Sequence, residues 1–376
     1  MNEKKFHGLT WDHPRGYNAL AAAAEASGGL VQWDKQPLEG FETHPIGELA
    51  ARYDLVVLDH PHIGEAVALD CLRPLEDLFS PEEIAAWAAQ SIGAAMRSYY
   101  WSGKHWALPL DVATQVAVYR PDRITSVPDN WDDVVRLAER APIAIAVAGP
   151  HAALHFLALC VALGEEPGGD DLVSDPVATE ALRVMQRLYR HASRRLLDLN
   201  PIGLHAAMAS EDEVALVPLV YGYADYANPI AGGHALAFAE APAGPSGRRG
   251  SVLGGTGIAL SRRVEPGLTL LDHLRYLMRE ETQINFIPAH RGQPSARAAW
   301  GDRRVNARYG NAYASTLATT EQAWVRPRFD GWIALQAKVA SLIRAFLESG
   351  GSAERTIATL HTEWSRARER ARGRLE

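Results

Sequence analysis

Cysteine is nearly absent: the 376 residues hold 2, Cys71 and Cys160, far apart in the sequence. A disulfide framework is thereby excluded, and both thiols read as small buried apolar groups. Lysine is scarce too, 5 of the 38 basic residues. That skew reads as a codon preference for arginine and not as a phosphate-binding signature. Net charge is -7 and no basic tract occurs, which argues against nucleic acid as a partner. No run of 18 apolar residues exists, so no membrane-spanning helix is expected. The opening Met1-Asn-Glu-Lys-Lys-Phe6 runs straight into a strand, without the apolar stretch and small-residue cleavage site of a signal peptide. As it stands the sequence predicts a cytoplasmic location, or a periplasmic one if a signal has been trimmed off. Catalytic signatures are missing as well: no Gly-x-Ser-x-Gly elbow, no Cys-x-x-Cys and no His-Glu-x-x-His. There is no internal repeat and no low-complexity segment.

What is there is strand and helix in alternation. The length suits two domains of ordinary size. Strands are expected at 5–11, 30–34 and 54–58, with helices near 17–28 and 45–52. Ser80-Pro-Glu-Glu83 is a helix start with cap, first-turn proline and capping-box glutamate; that helix should run to about Tyr100. Extended segments follow at 106–111 and 114–119. Next come a helix over 131–140, a strand over 143–147, helices from His151 and Asp175, and a strand over 214–219 ending at Tyr221. Residues 240–250 read as loop. Gly254-Gly-Thr-Gly257 leads into the strand Ile258–Ser261, a helix over 267–280 follows, and the chain is helical from Trp332 except at Gly350-Gly351.

In a parallel α/β sheet ligands bind beyond the carboxyl ends of the strands. Two turns qualify. Trp11-Asp-His-Pro-Arg-Gly-Tyr17 offers an aromatic platform, a carboxylate, a guanidinium and a helix N-terminus; equally, it is a turn capped by Asp12 with Trp11 packed inside. Asp59-His-Pro-His62 offers ligand contacts, a capped turn or, if His13 joins His60, His62 and Asp59, a metal site. The strand count does not suit the barrel that such metal pairs usually open. Gln36, Asp111, Tyr221 and Tyr223 stand at or near other strand ends, and His290 and Arg291 in a polar loop; the tyrosines could equally pack on helices and the loop could be merely exposed. Gly254-Gly-Thr-Gly257, with Gly255 and Thr256, precedes a strand and lacks the Gly-Lys-Ser/Thr ending, so it is no phosphate loop; it permits close backbone approach or forms a bulge. His151 and His155 share a helix face without an intervening glutamate and read as structural.

The layout resembles the extracellular solute-binding proteins of ABC transporters, family 1, which include the maltose-binding protein. Three strands and a long helix lead to Gly103-Lys-His-Trp-Ala-Leu-Pro109. A second α/β lobe follows, then the return through Gly254 to Leu260, then Trp324-Val-Arg-Pro-Arg328 and two closing helices. The resemblance covers nearly the whole chain through order and spacing, without one specific motif. It implies an α/β, two-lobed type II periplasmic-binding-protein fold with a ligand cleft between lobes. Lobe one would be 1–110 plus 254–300 and lobe two 111–253 plus 301–376, with crossings near 109–113 and 253–257 and closure by hinge motion.

It further implies a monomeric protein that binds a small molecule and does not catalyse. No cofactor and no metal are called for. A transporter permease is the partner if the chain is exported. For a carbohydrate, Trp11, Asp12, Asp59, Asp111, Tyr221 and Tyr223 would serve. For an anionic or phosphate-bearing metabolite the rim supplies His13, Arg15, His60, His62, His290 and Arg291, beside Gly16, Tyr17, Gln36, Gly255 and Thr256. Two alternatives stand: a cytoplasmic binder of a nucleotide-like cofactor such as a coenzyme A derivative, and a metal-dependent hydrolase using His60 and His62.

Overall fold

The computed structural model describes residues 5–210, 214–229 and 232–373. The expectation about the first residues, 1–4, lies outside these. The chain is α/β and divides into two compact units.

Unit 1 comprises Met1–Val112, Gly254–Val305 and Arg326–Trp332. Its strands are β1 (Phe6–Trp11), β2 (Val31–Gln36) and β3 (Leu55–Leu58), in spatial order β2-β1-β3 and all parallel. A hairpin follows, β4 (Tyr100–Trp101) and β5 (Lys104–His105), turned by Ser102 and Gly103, both at positive φ. Along β3 lies the antiparallel β9 (Leu253–Leu260), with Leu58 opposite Gly257. The carboxyl end of β3 therefore meets the amino end of β9. Leu9, Val56 and Leu58, with Ile46, Ile63, Trp106 and Ala259, form a continuous apolar core beneath this edge.

Unit 2 comprises Ala113–Leu253, Asn306–Val325 and Ile333–Glu376. Most of β6 (Leu108–Tyr119) belongs to it; the strand passes the unit boundary after Val112. Within the unit β6 pairs antiparallel with β7 (Leu216–Tyr221) and β8 (Ala237–Ala239). The helix His151–Ala162 is buried at every position, which explains a sequence with almost no polar face. The helices Asp175–His191 and Ala353–Gly373 pack on each other. Cys71 and Cys160 are free thiols.

Several elements depart from the sequence reading. The first helix is Pro14–Ala26, three residues earlier than expected, because His13 caps it and proline sets its first turn. The helix from Pro81 stops at Gln90. Ser91 and Ile92 leave it to bond the chain at Ser295–Ala296, and a short helix, Ala95–Ser98, follows. The two extended segments at 106–119 are one strand. No strand forms over 143–147: Ile143 makes isolated bridges to Ala192 and Leu216, and the rest is buried without ladder partners. Helices Leu38–Thr43 and Pro201–Ser210 were not anticipated. Arg326–Trp332, placed by the reading in lobe two, belongs to unit 1.

Candidate functional site

The carboxyl edge of the unit 1 sheet is a wall of matched charges. After β1 the chain turns through Asp12 and His13. The His13 Nδ1 accepts from the Arg15 N–H at 3.1 Å, which makes His13 and not Asp12 the helix cap. Asp12 instead pairs with Lys35 on the surface at 2.7 Å, and Lys35 lies over the Tyr17 ring. Trp11 is packed inside the turn: its ring stacks on His13 at 5.2 Å and lies against Phe41 and Arg15. Gly16 is required here, since a Cβ would stand 2.1 Å from the Trp11 Nε1. The platform reading of Trp11 therefore gives way to the packed one.

Arg15 is buried and bidentate on Asp111 of β6, through Nε to Oδ2 at 2.6 Å and through Nη2 to Oδ1. Burial raises the Asp111 carboxyl above its ordinary value, and the Arg15 guanidinium opposes that. Gly255, at positive φ, lets β9 close on this strand: a Cβ would lie 2.3 Å from the Asp111 carbonyl oxygen. Thr256 beside it is buried, and Gln293 donates to the Val112 carbonyl at 3.0 Å.

After β3, Asp59 caps the short helix His60–His62 and accepts from the His60 N–H at 2.8 Å. One oxygen lies 3.0 Å from the His60 Nδ1, and the other accepts from the Arg326 Nη2. Burial opposes ionisation of Asp59, but Arg326 and His60 hold its carboxyl well below the ordinary range. Burial and Arg326 push the His60 imidazole down to about 4, against the pull of Asp59. A neutral His60 donates from Nδ1, and its Nε2 has no hydrogen-bond partner among the described residues. His62 is buried beside the main chain of Phe41 and Glu42, and burial lowers it as well. Tyr99 stands between the pairs: burial, Asp59 and Asp111 together raise its hydroxyl, and its ring meets His60 edge-on. Gly257 leaves room for that ring, 2.6 Å from where a Cβ would sit.

Histidine, cysteine and carboxylate do not converge as a metal site. Among the described residues no group of three or more could hold an ion, and Asp59 is already engaged by Arg326. The hydrolase alternative has no support here.

Gln36 ends β2 with its Nε2 buried and unpartnered. His290 lies tilted against the Phe286 ring at 4.2 Å and is bonded to its carbonyl at 2.9 Å, and Arg291 turns outward at positive φ. In unit 2, Tyr223 is core, 4% exposed and packed on His205, which corrects its place among ligand contacts. Tyr221 is half-buried at the end of β7 against His151. His155 packs on Trp131, and burial lowers it to about 4.

The sequence reading missed Tyr99, Trp101, Arg326 and Arg328. The signal was Trp324-Val-Arg-Pro-Arg328, which served only as a landmark. Gly64 locks that segment in place, because a Cβ there would come 1.6 Å from the Arg328 carbonyl oxygen.

No protein-family model matches the chain, and no curated protein matches it in sequence. Solved structures do. An ABC-transporter solute-binding protein from Agrobacterium radiobacter K84, in complex with ribitol, aligns at TM-score 0.79 and 17% identity over 96% of this chain and 98% of its own. The maltose-bound MalE3 of T. maritima aligns at 0.78 and 18%, over 96% and 98%. UgpB from Mycobacterium tuberculosis, in complex with glycerophosphocholine, aligns at 0.78 and 13%, over 98% and 99%. The chain has the type II periplasmic-binding-protein fold, the architecture of ABC-transporter solute-binding proteins.

Proposed function

We propose that the chain is a non-catalytic solute-binding protein for a small polar ligand of the polyol or carbohydrate class. The observation that carries this reading is the pre-formed polar wall at the sheet edge where α/β folds take ligands. Arg15–Asp111 and Asp59–Arg326 tie the side chains of this wall to one another. The structural neighbours support it, since their bound molecules include ribitol, maltose and glycerophosphocholine. Among the described residues no nucleophile activated by a base is found at the wall: His60 leans on a carboxylate and meets the Tyr99 ring edge-on. If the chain is exported, a transporter permease is the recipient of the solute.

Native mass spectrometry of the purified protein, followed by calorimetry with the retained compound, tests this. Release of that compound unchanged after denaturation is the expected result. Its conversion to product by the purified protein would overturn the reading.

A further inference from the structure

We propose that Arg328, lying over Trp101, is the receptor for an oxyanion, phosphate or carboxylate, carried by the solute; this rests on the solute-binding reading above. The wall's own charges are matched, Arg15 with Asp111 and Arg326 with Asp59. Arg328 is not. Its Nε and Nη1 are shut off from water and have no hydrogen-bond partner among the described residues. Burial, with the neighbouring cation Arg97, pushes the guanidinium down to about 10, so it stays protonated at neutral pH. A half-buried cation with desolvated donors and no carboxylate is a site short of an acceptor.

A guanidinium offers parallel N–H groups along one edge, which carboxylate and phosphate match bidentately. The guanidinium carbon lies over the Trp101 ring, 5.6 Å from its centroid. Main-chain packing on Gly64 fixes the segment's position relative to the turn that carries Asp59, His60 and His62. Arg328 is thus as firmly placed as the wall itself, but with its donors unspent.

A thermal-shift and calorimetry panel tests this, with glucose, glucose 6-phosphate, glucuronate, glycerol, glycerol 3-phosphate and glycerate as probes. Wild type should respond to an anionic member over its neutral parent, and added salt should weaken that member alone. Phosphate and acid arms tell the two oxyanions apart. Arg328→Gln should lose roughly 10- to 150-fold in affinity for the anionic member and leave neutral members unchanged. Arg328→Lys, which keeps charge but not the fork, should fall between; it also serves if the glutamine variant does not fold. Response to neutral members only would overturn the anion site and leave solute binding standing. No response from any member would count against both. An anionic preference that survives Arg328→Gln would overturn the assignment to Arg328.

Discussion

Arg15 and Arg328 are the same residue on the same kind of shelf, yet they do opposite things. Each guanidinium lies over a tryptophan at nearly equal distance, 5.5 Å to Trp11 and 5.6 Å to Trp101. Arg15 has Asp111 at 2.6 Å and is buried with it. Arg328 has two buried nitrogens with no acceptor among the described residues. The aromatic shelf therefore carries no functional information by itself. The carboxylate does, and it arrives from a strand about a hundred residues away in the chain.

The largest effect should come from removing that carboxylate. Asp111→Asn leaves a buried guanidinium that cannot shed its proton, and stability to urea should fall by about 3–5 kcal/mol. Arg15→Gln should cost less, because a stranded Asp111 can take up a proton. Equal losses in the two variants would break the pairing argument. Next in size, Gly64→Ala drives a Cβ into the Arg328 carbonyl oxygen and should cost about 1–3 kcal/mol. Solute affinity should fall with it, as Arg328 moves. An alanine variant with wild-type stability and affinity would show that the segment is not held there.

Acid should act in a defined window. His60 and His155 each have a folded pKa of about 4 against an ordinary 6.5. Between these values the unfolded chain binds the proton and the folded one does not, so stability falls as pH drops from 6.5 toward 4. Each group accounts for up to roughly 3 kcal/mol of that loss. Below this window Asp59, held low by Arg326, adds its own loss, whereas Asp111, raised by burial, works the other way. His155→Leu should flatten the slope in chemical unfolding measured across the window; an unchanged slope would place the titration elsewhere.

The difference between the two arginines also marks where sequence stops being legible. Periodicity and turn residues located β1, β3 and the turns after them, because alternation and caps are local signals. The same locality explains the errors. Six groups in the rim looked like free cations, yet Arg15 is spent on Asp111, and the His60 and His62 imidazoles are lowered by burial. Tyr223 looked like a strand-end aromatic and is core, because a helix carries His205 onto it. Arg328 was visible in Trp324-Val-Arg-Pro-Arg328, but its importance lies in a missing partner, which only packing reveals.

The smallest stability effect is the most telling. Arg328→Gln removes a cation that nothing in the described residues compensates, and the unliganded protein should stay within about 1 kcal/mol of wild type or gain slightly. The decisive measurement sets Arg15→Gln beside Arg328→Gln, each followed by calorimetric unfolding without ligand and with the compound retained from purification. Arg15→Gln should unfold earlier on its own, and Arg328→Gln should melt like wild type alone but gain little from the ligand. If Arg328→Gln instead melts early without ligand and keeps the full ligand-induced gain, the unpaired arginine is structural and the account is wrong.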